Sequence, residues 1–146
     1  MDYLNAFAIS GSGMNVEKTR LDVTALNIAN AHSTRARDGS GFEPLQVISA
    51  ARRAHAFQAA FGSAAAQLPS GAEVLEVRAT RVPPRFVHEP NHPDANERGF
   101  VAYPGINPVN EMVTLISALR AYEANVAALN AAKTMALKAL ELGGNS

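Results

Sequence analysis

Two histidines four residues apart form the pattern in this sequence that comes nearest to a catalytic motif. His88 and His92, with Glu89 between them, have the spacing that places two imidazoles on one helix face to bind zinc. Pro90 and Pro93 interrupt the segment, and a proline inside a helix removes a hydrogen bond and clashes with the preceding turn. The sequence therefore predicts that these residues are not helical and bind no metal.

The serines and glycines near the N-terminus do not form a recognisable site either. The Ser10–Gly13 run (SGSG) lacks the lysine and the preceding strand of a phosphate-binding loop, and no serine lies in a Gly-x-Ser-x-Gly turn. We interpret the run as ordinary flexible residues. The sequence also contains no cysteine, which excludes thiolate chemistry and disulfides. We expect a protein that is not an enzyme, with no catalytic residues and no cofactor.

The charged residues indicate a solvated surface rather than a strongly charged partner. Lysine and arginine together number 13, as do aspartate and glutamate, so the formal net charge is zero. Glu17 with Arg20, and Glu123 with Arg120, have the spacing of solvated ion pairs on a helix. The arginines of the middle region are interpreted as solvated too: Arg52, Arg53, Arg78, Arg81 and Arg85. We expect no binding to nucleic acid.

Membrane and secretion signals are missing from the sequence. It has no run of about 18 apolar residues, the length that a membrane-spanning helix needs. The Met1–Leu4 segment has neither a basic flank nor a cleavable apolar run after it. We therefore expect no membrane insertion and no cleaved secretory signal peptide.

The longest element that the sequence predicts is a helix over residues 107–146. Asn107 can cap it, Pro108 suits its first position, and the Gly143–Gly144 pair supplies a stop. A helix of this length spans about 50 Å, whereas a compact domain of this size is only about 30 to 35 Å across. We expect the helix to protrude and its apolar side to meet another surface.

That apolar side repeats at alternating steps of three and four residues, as the seam of a coiled coil does. Its large members are Met112, Leu115, Leu119, Tyr122, Val126, Leu129 and Leu140, and Ala132 and Ala136 continue the pattern. Alanines occupy much of the remaining helix surface, and such small side chains let a second backbone approach closely. The pattern favours a helix with neighbours on several sides.

A second seam of similar register runs through residues 1–30. Its members are Leu4, Phe7, Gly11, Met14, Lys18, Leu21, Ala25 and Ile28. Each helical glycine costs up to about 1 kcal/mol relative to alanine, so we expect this segment to be disordered until it packs on the C-terminal helix or a partner. Four polar residues in the seam zones are predicted to set the register: Asn27, Asn30, Asn125 and Asn130.

The middle region, residues 31–106, has a different pattern. Residues 31–44, which contain Asp38–Gly41 (DGSG), predict a loop, residues 45–50 a strand, and the alternation over residues 71–82 a half-buried strand. Short extended pieces are predicted at residues 85–88 and 99–103, whereas the alanine-rich residues 51–66 favour no single state. The sequence predicts an α+β fold, in which long N- and C-terminal helices pair as a coiled-coil-like layer and a small antiparallel β-domain of three to five strands lies between them.

Three stretches resemble a known family. Arg20–Ala31 (RLDVTALNIANA) resembles the N-terminal signature of the flagellar axial proteins, the rod and hook family, in which a leucine-rich helix ends in an Asn-x-Ala-Asn motif. His88–Pro104 resembles the loop and strand that distinguish the proximal rod proteins of that family. Asn110–Val113, followed by Ala118–Asn125, is similar to their C-terminal helix. These stretches follow one another in the order that the family has.

The resemblance implies a structural component of the proximal rod of the flagellar basal body. Such a protein is exported unfolded by the flagellar type III export apparatus without a cleaved signal. It assembles with other proximal and distal rod proteins and with export-gate junction proteins into a helical tube that spans the periplasm and transmits torque. The implied assembly interface consists of Leu4, Phe7, Met14, Leu21, Asn27, Ile28, Asn30, Met112, Leu115, Leu119, Tyr122, Val126, Leu129 and Leu140.

The sequence departs from the family pattern in the middle region, where residues 35–45 match loosely and residues 50–70 match poorly. Two other kinds of protein would also suit parts of the sequence. A cytosolic coiled-coil adaptor or chaperone would use the same helices to bind a client and would be a stable soluble dimer. A small β-domain enzyme would need a pocket with converging polar groups, which the sequence does not indicate.

Overall fold

Two long helices and four short strands make up the computed structural model, which describes residues 3–34, 41–52 and 71–144. In chain order, the elements are α1 (Tyr3–Asn30), β1 (Leu45–Ala51), β2 (Ala72–Ala79), β3 (Arg85–His88), β4 (Phe100–Tyr103) and α2 (Pro108–Gly144). The predicted α+β fold is confirmed. Residues 35–40 of the predicted loop at residues 31–44, and residues 53–66 of the unassigned stretch at residues 51–66, lie outside the described residues.

Helix α2 has the boundaries that its end signals predict. It contains 37 residues, which corresponds to about 55 Å. The Asn107 side-chain oxygen accepts hydrogen bonds from the backbone N–H groups of Val109, at 3.0 Å, and Asn110, at 3.4 Å. These bonds satisfy donors that the first helical turn leaves unpaired, and Pro108 has no N–H to lose.

Helix α1 is continuous over its 28 residues. The Ser10–Gly13 run lies inside it, so our interpretation of that run as flexible is wrong. The helix ends in a tight turn, in which the N–H of Ala31 donates to the carbonyl of Ile28 at 3.2 Å. The N–H of Ser33 then donates to the carbonyl of Asn30 at 3.0 Å, so the chain leaves the helix in a hydrogen-bonded turn.

The four strands of the predicted small antiparallel β-domain form two separate antiparallel pairs, a division that the sequence did not predict. Strand β1 pairs with β2 from Leu45–Ala79 to Ala51–Ala72, with an irregularity between Ile48 and Ser49. Strand β3 pairs with β4, where Val87 lies opposite Val101. Strand order along a chain does not determine which edges pair, because pairing depends on contacts between distant residues.

The turn between β3 and β4 is held by side-chain capping. The Asn96 side-chain oxygen accepts from the N–H groups of Arg98 and Phe100, both at 3.0 Å, and Gly99 adopts a positive φ of 75°. This geometry favours glycine, which has no Cβ to clash. His88 ends β3 and His92 lies in the turn, so the two histidines are not on one helix, as the prolines predict.

Within the part of the chain that the structure describes, no helix combines the length and hydropathy needed to cross a membrane. The same residues contain no group of three or more acidic or histidine side chains placed to hold a metal ion.

Candidate assembly interface

Helices α1 and α2 pack antiparallel in a register that two contacts define. The Asn27 amide nitrogen donates to the Glu111 carboxylate at 3.2 Å. A Cβ added to Gly13 would lie 2.9 Å from the side-chain oxygen of Asn125. Two heptads separate the contacts on each helix, so one register accounts for both. It places Arg20 opposite Ala118, and Ala6 opposite Ala132.

The closest approach on α2 is made by small and polar residues at every seventh position. Ala118 is 2% exposed and Ala132 is 5% exposed, and Glu111 and Asn125 complete the spacing. Small side chains at these positions let the two backbones come together. The sequence pattern included Ala132 and Asn125 but missed Glu111 and Ala118, because it gives weight to large apolar residues.

The residues of the predicted seam of α2 lie to one side of this row and differ in their exposure. Leu115, Tyr122, Val126 and Leu129 are half-buried, as a seam residue at the edge of a helix pair would be. Met112, Leu119 and Leu140 are exposed instead, Leu140 to 72%. Met112 and Leu119 lie on the side of α2 that α1 does not cover, and Leu140 lies beyond the end of α1, so all three remain available to other surfaces.

On α1, the buried residues lie one or two positions away from the predicted seam. Its buried members are Ser10, Val16, Val23, Thr24 and Asn27. The predicted residues Phe7, Met14, Leu21, Ile28 and Asn30 are half-buried, and Leu4 is 79% exposed. A shift of one residue rotates a helix face by about 100°, so the large apolar residues of α1 line the border of its contact with the rest of the chain.

Asn27 joins three elements at the centre of the molecule. Its side chain is 2% exposed and makes hydrogen bonds to α2 and to β1. The amide nitrogen donates to the Leu45 carbonyl at 2.9 Å as well as to Glu111, and the amide oxygen accepts from the Leu45 N–H at 2.8 Å. A buried amide with these partners fixes register, because any sliding would leave its polar atoms unpaired.

The other three asparagines of the seam zones do not bridge elements in this way. The Asn30 amide donates to the Leu26 carbonyl of its own helix, and its oxygen accepts from the Ser33 hydroxyl. The Asn125 amide likewise donates to the Ala121 carbonyl. Asn130 is exposed.

Ser12 and Gly71 attach the β1–β2 pair to α1. The Ser12 hydroxyl donates to the Ile9 carbonyl at 2.7 Å and accepts from the Ala72 N–H at 3.0 Å. Gly71 has a φ of 113°, and a Cβ there would overlap the Ser12 hydroxyl oxygen. The Ser10–Gly13 run is therefore a packing site. Its small side chains are the sequence feature that could have predicted this role.

Tyr103 and Thr34 attach the β3–β4 pair to the end of α1. The Tyr103 hydroxyl donates to the Glu89 carboxylate at 2.9 Å, and this bond raises the tyrosine pKa above 10.0. The His32 ring meets the Tyr103 ring edge-on, with the ring centres 6.3 Å apart. The Thr34 hydroxyl donates to the Asp94 carboxylate at 2.7 Å. These contacts give the turn between β3 and β4 a structural role.

A cleft of about 420 Å³ lies between α1, the start of β1 and the first turns of α2. Arg20, Asn27 and Glu111 are among the residues that line it. Asn27 and Glu111 bind each other, and the Arg20 guanidinium lies 3.5 Å from the Glu17 carboxylate as the predicted helix pair. These polar groups hold the elements together.

Large apolar side chains stay exposed along one face of the first turns of α2. Val109, Met112, Val113, Ile116 and Leu119 are between 42% and 67% exposed. A second exposed group lies near the other end, at Met135, Leu137, Leu140 and Leu142. Exposed apolar surface of this kind makes these two groups candidates for an interaction site.

Comparison with known proteins gives matches over the C-terminal region and over nearly the whole chain. Residues 97–142 match the family model described as the C-terminal region of the flagellar basal body rod FlgEFG proteins. The flagellar basal-body rod protein FlgC of Escherichia coli O6:H1 is 39% identical over 143 residues, which cover 98% of this chain and 99% of that protein. FlgC of Salmonella typhimurium LT2 is 38% identical with the same coverage. FlgC of Bacillus subtilis strain 168 is 34% identical over 149 residues, again covering 98% and 99%.

The chain belongs to the FlgC family of flagellar basal-body rod proteins. The predicted resemblance to the flagellar axial proteins is thereby confirmed, and the chain is a structural component of the flagellar basal-body rod. The family assignment favours this role over the cytosolic adaptor or chaperone.

The FlgC matches include every residue that sets the register of the two helices. The family model spans β4, the Asn107 cap and the spaced row on α2 from Glu111 to Ala132. The matches over nearly the whole chain add α1 and the strands between the helices. The similarity to FlgC proteins therefore extends over both helices of the α1–α2 pair.

Proposed function

We propose that this FlgC-family chain assembles with other proteins of the proximal and distal rod into a helical tube that transmits torque. The observation that carries the proposal is the apolar face of α2, which remains exposed after α1 has packed on the opposite side. Burying a large apolar side chain contributes about 1.5 to 3 kcal/mol. Several such residues on one face would make association with neighbouring subunits favourable.

The geometry suggests a division of the predicted interface into two groups. Asn27 and the half-buried Leu115, Tyr122 and Leu129 hold α1 on α2 within one chain. Met112, Leu119 and Leu140, together with Leu4, would contact neighbouring chains. The remaining predicted residues, at the border of the pair, would touch both: Phe7, Met14, Leu21, Ile28, Asn30 and Val126.

A tube requires contacts that repeat without closing. When two different surfaces of a subunit meet head to tail, the assembly grows as an open helix unless the rotation closes it into a ring. The two exposed apolar groups of α2 lie near opposite ends of a helix of about 55 Å. Such a separation suits contacts with two different neighbours.

We further propose the cellular route that the family resemblance implies. The chain would be exported unfolded by the flagellar type III export apparatus, without a cleaved signal, and α1 would become ordered as it packs. In the periplasm-spanning rod it would also adjoin the export-gate junction proteins. We propose no catalytic activity and no cofactor, since the Asn27 amide and the Glu111 carboxylate of the cleft hydrogen-bond to each other.

Replacing Leu119 with aspartate tests the role of the exposed face. Leu119 is 42% exposed in the single chain, so we expect the free energy of unfolding to change by about 1 kcal/mol or less. We expect rod assembly to be lost, because a charge would be buried between subunits. Electron microscopy of basal bodies from cells that carry only the variant measures assembly, and urea unfolding of the purified chain measures stability.

Lys133→Asp is the matched control, because Lys133 is an exposed polar residue on the same helix. We expect this control to build rods. Normal rods with Leu119→Asp would contradict the assignment of the face. Loss of rods together with a large loss of stability would show that Leu119 serves the fold of the single chain instead.

A further inference from the structure

We draw no further inference here: the strongest candidate, the exposed aromatic face of the β3–β4 pair where Phe86 and Phe100 lie beside His88, carries nothing because nothing in the structure shows what covers it.

Discussion

At the scale of single residues, Asn27 shows how a polar side chain can define the arrangement of a whole chain. The sequence indicated that Asn27 sets register, because it lies in the seam zone of a helix. The structure supplies its partners, which are the Leu45 backbone and the Glu111 carboxylate. No local pattern predicts these partners, since they come from distant parts of the chain.

We expect Asn27→Ala to lower the free energy of unfolding by about 2 kcal/mol. The substitution removes the hydrogen-bonding partner of both Leu45 backbone groups and of Glu111, and an unsatisfied buried polar group costs about 1 to 3 kcal/mol. Urea unfolding followed by circular dichroism measures the change. Asn30→Ala is the control, because the Asn30 amide donates within its own helix, and we expect it to cost about 1 kcal/mol or less. Equal losses in the two variants would argue against the bridging role of Asn27.

Tyr103 provides a prediction about pH. The Glu89 carboxylate accepts a hydrogen bond from the neutral phenol, and partial burial and the negative charge of Glu89 act in the same direction, whereas Arg85 opposes them. The tyrosine pKa is therefore above 10.0 in the folded chain. A raised pKa means that the stabilisation is fully present below the unfolded value and is lost as the pH rises through the folded value.

Ultraviolet absorbance measures the ionisation of Tyr103 when the parent chain is compared with Tyr103→Phe. We expect the difference signal to titrate above pH 10.0 and to move back toward that value in Glu89→Gln, which removes the negative charge. A signal that stays in place in Glu89→Gln would mean that the carboxylate is not the cause.

At the scale of elements, the sequence predicted what local signals control. The Asn107 cap, Pro108 and the closing glycines gave the bounds of α2, and alternating residues gave β2. The pairing of strands and the face of α1 that is buried could not be predicted in this way. Strand pairing depends on contacts between distant residues, and the buried face of α1 depends on Gly13, Ala118 and Ala132, whose small size matters only when another backbone lies against them.

We expect Ala118→Leu to destabilise the single chain by about 1 to 3 kcal/mol. Ala118 is 2% exposed and faces α1 at a close approach, so a larger side chain would push the two helices apart. Ala124→Leu is the control, because Ala124 is exposed on the same helix, and we expect a change of about 0.5 kcal/mol or less. Urea unfolding compares the two variants. If Ala118→Leu unfolds with the same free energy as the parent chain, the result would instead favour the seam that the sequence predicted, in which Leu119 faces α1.

At the scale of the whole molecule, the two helices differ in length, and among the described residues this leaves the last turns of α2 beyond the end of α1. The register set by Asn27 and Gly13 places Tyr3 opposite Met135. The turns of α2 that follow therefore extend beyond α1 by about 13 Å. They carry Leu137, Leu140 and Leu142, which are 52%, 72% and 77% exposed. The exposed leucines at this end do not lower the stability of the single chain. They do favour association or aggregation unless another surface covers them.

We expect Leu140→Asp to leave the free energy of unfolding of the purified chain within about 0.5 kcal/mol of the parent. We also expect it to prevent rod assembly, because the aspartate would lie in a contact between subunits that excludes water. Basal-body electron microscopy and urea unfolding provide the two measurements, and recovery of the variant from the periplasm shows that it is still exported. Lys138→Asp, two residues away and also exposed, controls for the added negative charge. If Leu140→Asp builds rods as well as its control does, the projecting end of α2 is solvated in the rod, and only the face around Leu119 would remain as the contact.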